Sequence, residues 1–343
     1  MSEVPNGKSP AYELLNAEDP DAILRIMIAL NVCEADESIT QVTKAGEGNM
    51  NLALRVQTNR RSIIVKQSRP WVEKYPSLDA PEERIIAETA FYHAITAAED
   101  VCAATPAVVA ADSSLRLLVL EDLGTASDYA SLYAGQTVPE QVDAVFQQAI
   151  DWVTRLHQSD LSGVQEIGCL PLRELNHQHI FSIPLNDPPP IDLDQVCPGL
   201  TAASRPLCTD DSVSHAMQQL GEIYLAGGDG PLLHGDYYPG SWLKTDAGFR
   251  VIDPEFCFCG PAEYDLGVLA AHWIFCGNQA SMATIDRVCA ESNGENSRKL
   301  ILGFAGAELV RRLIGVGQLP LNADLERRKA WLECGVNFLK QSL

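Results

Sequence analysis

Positive charge is scarce in this sequence. Its 343 residues carry 25 Lys and Arg against 46 Asp and Glu, a formal charge of 25 − 46 = −21. Affinity for nucleic acid rests mainly on Lys and Arg neutralising phosphates, so so acidic a surface argues against nucleic acid as a partner, and against anionic membrane surfaces for the same reason. Any phosphate-bearing ligand then needs a local exception to the global field. Long apolar runs are also missing. None approaches the ~20 residues needed to span a bilayer, and the N-terminal stretch MSEVPNGKSPAYELL has no apolar leader segment. Ten cysteines are present but scattered, which is no disulfide framework; Cys102 and Cys276 lie in apolar runs, where a free thiol packs as a small hydrophobe. Cys257 and Cys259 form a C-x-C with too few neighbouring ligands for zinc. The expected compartment is a reducing cytoplasm. No internal repeat is visible.

With 46% hydrophobic and 21% charged residues the composition is that of an ordinary globular chain, and the length asks for two domains or one domain of two lobes. The first third reads as β-rich. Thr40–Ala45, Leu52–Gln57 and Ile63–Lys66 are strand-like and separated by the turns GEGNMN and TNRRS, and residues 106–111 and 115–120 give two more strands. Between these groups a helix begins near Pro81, with Glu82 and Glu83 favouring its positive N-terminal end. After Glu121-Asp122-Leu123-Gly124 the pattern turns helical, at 139–158, 212–226, 262–276, 298–316 and 322–342, with a loosely patterned stretch at 160–212. The expectation is an α+β fold with an N-lobe over 1–123, a five-stranded antiparallel sheet plus a helix, and a mainly helical C-lobe over 124–343.

The chemistry concentrates in Leu232-Leu-His-Gly-Asp-Tyr-Tyr-Pro-Gly-Ser, followed by Phe249-Arg-Val-Ile-Asp-Pro-Glu. Phosphoryl transfer needs a carboxylate to orient the attacking hydroxyl and take its proton, and oxygen ligands that hold Mg²⁺ on the phosphates. H-G-D, four residues, Ser241, then D-P-E has the spacing of the kinase catalytic loop. In that pattern Asp236 is the base, and Asp253 and Glu255 are metal ligands. Upstream, the Gly46, Gly48, Asn49, Asn51 turn between two strands suits a phosphate-covering loop. Lys66 ends an apolar strand, Glu88 lies in the next helix, and Glu121 to Leu123 follow the last strand, where backbone can meet an adenine edge. Each signal alone has a plainer reading as a hairpin turn, a snorkelling lysine, a solvated helix face or a capping Asp. Their fixed order makes them persuasive together.

These blocks resemble the aminoglycoside-phosphotransferase/choline-kinase superfamily, which has a protein-kinase-like two-lobed fold. Within it the chain is most similar to the methylthioribose kinase family. The resemblance is carried by G-E-G-N-M-N-L (46–52), I-I-V-K-Q (63–67), L-E-D-L (120–123), H-G-D with G-S (234–241), V-I-D-P-E-F-x-F-x-G-P-x-x-x-D-L-G (251–267) and F-A-G-A-E-L-V-R-R-L-I-G (304–315). It implies an ATP- and Mg²⁺-dependent kinase in which Asp236 is the catalytic base and Asp253, Glu255 and Ser241 surround the metal. Lys66 holds the nucleotide phosphates, and Arg311 and Arg312 lie near a sugar substrate. Without the resemblance, two adjacent arginines on a helix read as surface charge. The implied partner is a small-molecule hydroxyl acceptor, with a homodimer possible. Ser241 stands where most of the superfamily has Asn, and Tyr237-Tyr238 where the family has Leu-His, which places Tyr237 among the candidate acceptor contacts. His177 and His179 read as packing or capping residues. The competing readings are a kinase for an amino alcohol, amino acid or aminoglycoside, a catalytically silent nucleotide-binding module, and a scaffold.

Overall fold

Alternating apolar residues build the first layer of the structure, a computed structural model that describes residues 10–46, 48, 50–161, 167–277, 281–292 and 297–342. Asn49 of the glycine-bearing turn lies outside these residues. Helix α1 (Pro20–Ala29) comes first, was not foreseen, and buries Ala22, Ile23, Ile26 and Met27 on one side. Its start follows from a cap, because the Asp19 side chain accepts from the Ala22 N–H and Pro20 opens the helix. The strands β1 (Ile39–Lys44), β2 (Leu52–Thr58) and β3 (Ser62–Gln67) then form an antiparallel meander. A short hairpin, β4 (Trp71–Val72) with β5 (Tyr75–Asp79), leads to α2 (Arg84–Ala94) and the single turn α3 (Glu99–Cys102). Strands β6 (Val108–Asp112) and β7 (Leu117–Glu121) complete a five-stranded sheet of order β1-β2-β3-β7-β6, antiparallel throughout.

The period-2 pattern gives this sheet two apolar faces. Leu54, Val56, Val65 and Val119 pack with Ile23 and Met27 of α1 in one core. Leu118 and Leu120 face the other way and join Ile85 and Phe91 of α2 in the larger core, which is continuous with the helical part. The sheet register sets Lys66 between Ala53 of β2 and Leu118 of β7.

The next segment crosses over to the helical part. Strand β8 (Ala126–Asp128) pairs with a strand much later in the chain, residues 243–245 lying opposite it. Helix α4 (Pro139–Gln158) buries Val142, Phe146, Ile150 and Val153 at helical spacing. The loosely patterned stretch holds the short helices α5 (Leu170–His177), α6 (Leu193–Val196) and α7 (Leu200–Cys208), and α8 (Asp211–Ala226) is capped by Asp210. The motif segment forms β9 (Leu232–Leu233), the hairpin β10 (Trp242–Thr245) with β11 (Gly248–Val251), and β12 (Phe258–Cys259), which pairs back onto β9. Helices α9 (Glu263–Cys276), α10 (Ser281–Glu291), α11 (Arg298–Ile314) and α12 (Leu325–Ser342) close the chain. Of these, α10 was not foreseen. Among the described residues no helix is long and apolar enough to cross a membrane.

Helix α11 is buried along nearly all its length, so its neighbours must approach closely. Gly306 lies against Gly335 of α12, where an added Cβ would stand 2.8 Å from the Gly335 carbonyl oxygen. Gly306→Val is expected to overpack this crossing and to lower stability by about 1–3 kcal/mol. A chemical-denaturation midpoint measured against the parent chain reads the loss.

Candidate active site

The turn after β9 is shaped by one glycine and one buried carboxylate. Gly235 has φ +85, and a Cβ there would stand 2.1 Å from the Phe256 carbonyl oxygen, so only glycine fits. Asp265, in the first turn of α9 and fully buried, accepts from the backbone N–H of His234 at 2.8 Å and of Gly235 at 3.0 Å. His157 of α4 lies against the same carboxylate, with Nε2 at 3.1 Å from Oδ2. The His234 imidazole is buried, which pushes its pKa down and keeps it neutral. Its Nε2–H donates to the Ile252 carbonyl at 3.0 Å, leaving Nδ1 as an acceptor toward the Asp236 N–H at 3.4 Å. Ser241 closes the loop from the other side. Its hydroxyl donates to the Asp236 carbonyl at 2.9 Å, and its N–H to the Tyr238 carbonyl at 2.8 Å.

The Asp236 side chain is 25% exposed and meets both arginines, Arg312 Nη2 at 3.2 Å and Arg311 Nη2 at 3.5 Å. Both arginines are buried in α11 beside the equally buried Glu308, and so are not the surface charge that the pair suggests without the resemblance. Tyr237 also departs from its expected place. Its ring is fully buried against Trp152, and its hydroxyl donates to the Ala149 carbonyl of α4 at 2.9 Å, so it is a core residue and does not line an acceptor site. The next residue, Tyr238, is the one that turns toward the arginines, with the Arg312 guanidinium 4.7 Å from its ring centroid.

Lys66 is buried at the end of β3, and its Nζ donates to Glu88 of α2 at 2.6 and 2.9 Å and pairs with Asp253. Burial alone would push this amine's pKa down, but Asp253, Glu88 and Glu255 outweigh it and hold it well above the ordinary lysine value. Asp253 itself sits at φ +62, a left-handed conformation that non-glycine residues seldom adopt. Its side chain is 41% exposed. Glu255 accepts from the Asn51 amide at 2.9 Å and lies 3.6 Å from Arg84 Nε. Burial, reinforced by Glu88 and Asp253 and opposed by Lys66 and Arg84, pushes its pKa up to about 8.

Arg84, fully buried, had no part in the sequence reading. It donates to the Asn51 side chain at 2.8 Å and to the carbonyls of Met50 at 2.8 Å, Arg69 at 2.9 Å and Pro81 at 2.6 Å. The glycine-bearing turn is thereby joined through Asn51 to the Asp-Pro-Glu turn. Gly46, at φ +146, and Gly48 have open space where a Cβ would stand. Glu121 is exposed and is held by the Ala107 backbone, to which its own N–H donates at 2.9 Å; Leu123 follows, half-buried. His177 packs against Phe181 with the rings tilted and their centroids 5.4 Å apart.

Among the described residues no group of three His, Cys, Asp or Glu side chains could hold a metal unaided. Magnesium does not require one, since it is commonly held by one or two carboxylates together with substrate phosphates. Asp253, with its side chain 41% exposed, and Glu255, buried beside it on the same turn, supply such hard oxygen donors. The donor set fits the ion.

Sequence reasoning missed Asp265, His157, Arg84, Glu308 and His272 as parts of the site. Asp265 and Glu308 stood within recognised blocks, but nothing in spacing alone tells a buried carboxylate from a solvated one. Asp265→Asn presents one carbonyl oxygen where the carboxylate presents two, so a buried N–H loses its partner. Stability is expected to fall by about 1–3 kcal/mol, and turnover by about 10²-fold as the turn shifts. Unfolding and steady-state assays on one preparation check both.

Comparison with known proteins identifies the family and the fold. A model of the phosphotransferase enzyme family matches residues 41–286, well over half of the chain. The methylthioribose kinase of Bacillus pumilus is 26% identical, covering 96% of this chain and 94% of its own length. That of Exiguobacterium sibiricum is 26% identical over 82% of this chain and 80% of its own. Among solved structures, LicA in complex with AMP aligns with a TM-score of 0.56 at 14% identity, over 96% of this chain and 100% of that one. Choline kinase LicA from Streptococcus pneumoniae gives 0.53 at 13% identity, over 93% and 98%. At such identities the structural likeness speaks for the fold, which is kinase-like. The chain belongs to the phosphotransferase enzyme family and is a small-molecule kinase whose acceptor group is a hydroxyl.

Proposed function

We propose that this kinase transfers the γ-phosphoryl group of ATP to a hydroxyl of a small neutral or anionic sugar, with methylthioribose the foremost candidate. The observation that carries the acceptor class is the pair Arg311 and Arg312 against Asp236. An amine-bearing acceptor would be repelled by two guanidiniums and would ask for carboxylates in their place. The two curated relatives named methylthioribose kinase point the same way.

In this reading residues 1–123 receive the nucleotide and residues 124–343 the acceptor. The Asp236 carboxylate orients the acceptor hydroxyl and takes its proton as the bond to phosphorus forms. Lys66, kept cationic by Glu88 and Asp253, aligns the phosphates for in-line transfer, while the turn at Gly46 and Gly48 covers them with backbone N–H groups. Asp253 and Glu255 would hold Mg²⁺, which when bound neutralises charge on the β- and γ-phosphates. Glu121 to Leu123 offer backbone to the adenine edge. Ser241 acts by closing the catalytic turn. Among the described residues no disulfide joins the cysteines, which suits a reducing cytoplasm.

A coupled ADP-release screen over sugars, amino alcohols, amino acids and aminoglycosides tests the acceptor. Turnover is expected with methylthioribose or a close pentose and not with choline; turnover confined to amine-bearing acceptors overturns the sugar assignment. Asp236→Asn is expected to lower turnover by at least about 10²-fold, with nucleotide binding by calorimetry retained. Full activity in that variant would remove Asp236 from its role.

A further inference from the structure

We propose that Glu308, set in place by His272 and Tyr133, is a positioning residue that holds Arg311 and Arg312 against one oxygen of Asp236 and leaves the other oxygen open for the acceptor hydroxyl. The inference rests on the reading of Asp236 as the base. Glu308 lies three and four residues before the arginines in α11, so its side chain shares their face of the helix. Both guanidiniums give it their Nε–H, Arg312 at 2.8 Å to Oε1 and Arg311 to Oε2. With Nε engaged, each guanidinium presents Nη2 to Asp236, and both Nη2 groups meet the same atom, Oδ1, at 3.2 and 3.5 Å. Among the described residues no hydrogen bond reaches Asp236 Oδ2.

A second layer orients Glu308. His272 Nε2 lies 2.9 Å from Glu308 Oε1, and His272 Nδ1 lies 2.6 Å from the Tyr133 hydroxyl. Burial, with Arg312 and Arg311 nearby, pushes the His272 pKa down to about 4 although Glu308 opposes the shift, so the ring is neutral. A neutral ring facing a carboxylate must donate from Nε2, which makes Nδ1 the acceptor and the Tyr133 hydroxyl its donor. The direction of every bond from Tyr133 to Asp236 is thereby determined. Burial alone would raise the Glu308 pKa, yet Arg311, Arg312 and His272 hold it well below the carboxylate range, so the group at the centre of this chain carries its charge. The Tyr238 ring stands against both His272, at 5.2 Å, and the Arg312 guanidinium, so the aromatic wall and the polar chain position the same group. Without the Glu308 charge, the two adjacent guanidiniums have, among the described residues, Asp236 as their only common counter-ion and close over both of its oxygens.

The test uses the full chain with Mg²⁺, ATP and the sugar that turns over fastest in the acceptor screen. Glu308→Gln is expected to lower kcat by about 10²-fold while the KM for ATP moves less than about twofold. His272→Phe, which cannot donate to Glu308, is expected to show the same split, and His272→Gln, whose amide reaches the Nε2 position, to recover most of the lost kcat at matched thermal stability. A rise in the KM for ATP equal to the fall in kcat, or His272→Gln no better than His272→Phe, overturns the positioning role. A readout independent of turnover is the pair of guanidinium Nε–H signals of Arg311 and Arg312 in ¹⁵N NMR. They are expected to exchange slowly in the parent chain and in His272→Gln, and fast in Glu308→Gln. Slow exchange retained in Glu308→Gln refutes the proposal. If no sugar turns over while these signals behave as expected, the sugar reading fails and the arginine geometry stands.

Discussion

Lys66 is a cation with only 5% of its surface exposed, and that constraint organises the site. An ammonium buried at the end of β3 is tolerated only with close counter-charges, since removing one partner of a buried pair leaves an uncompensated ion and is strongly destabilising. Its partners come from two distant parts of the chain, Glu88 of α2 and Asp253 of the turn after β11. The pairing therefore draws the sheet, its helix and the Asp-Pro-Glu turn to one point. Asn51 and Arg84 reinforce the same junction through Glu255. The −21 of the whole chain is thus offset locally, though not reversed, by a few buried cations, each facing carboxylates that an entering polyphosphate and its metal would share.

The same logic recurs a short distance away. Asp265 is a buried anion balanced by N–H groups of the turn it shapes, and Glu308 is a buried anion balanced by two arginines and a neutral histidine. Both lie on helices packed deep in the larger core, α9 and α11. Rigid helices carry the supporting carboxylates, while the residues proposed to meet substrate, Asp236 and Asp253, sit on turns. This division suits a site that must hold reacting groups to within a fraction of an ångström yet leave them accessible.

Much of the fold was legible. The strands at 39–44, 52–58, 62–67, 108–112 and 117–121 follow from alternating stretches such as 52–57, from the continuous apolar and β-branched runs at 63–66 and 117–120, and from their turns, and the long helices from apolar spacing. Helix α1 was missed because it is only ten residues long, so its apolar stripe of Ala22, Ile23, Ile26 and Met27 is short. Strand β8 was missed because Ala126–Asp128 is exposed and pairs with residues more than a hundred positions later, a partnership no local pattern records. Within the site, the spacing of H-G-D and D-P-E picked out the segment but could not choose between Tyr237 and Tyr238. Neighbours on an extended backbone point to opposite sides, and which side is core depends on Trp152 of α4 and Arg312 of α11.

By itself the sequence determined which residue types stand where kinase chemistry requires them: a lysine ending a strand, a carboxylate after H-G, two more in D-P-E, and glycines where the backbone must turn tightly. These are properties of spacing and covalent geometry, which do not depend on the rest of the chain. Only the tertiary structure decided which charges are buried and what faces them. Arg311 and Arg312 became cleft residues because α11 is sheathed by its neighbours, and Glu308, Asp265 and Arg84 became supports because they lost water together with specific partners. Burial and pairing are relations between segments far apart in sequence, and for ionisable groups those relations, more than residue identity, set charge state, orientation and role.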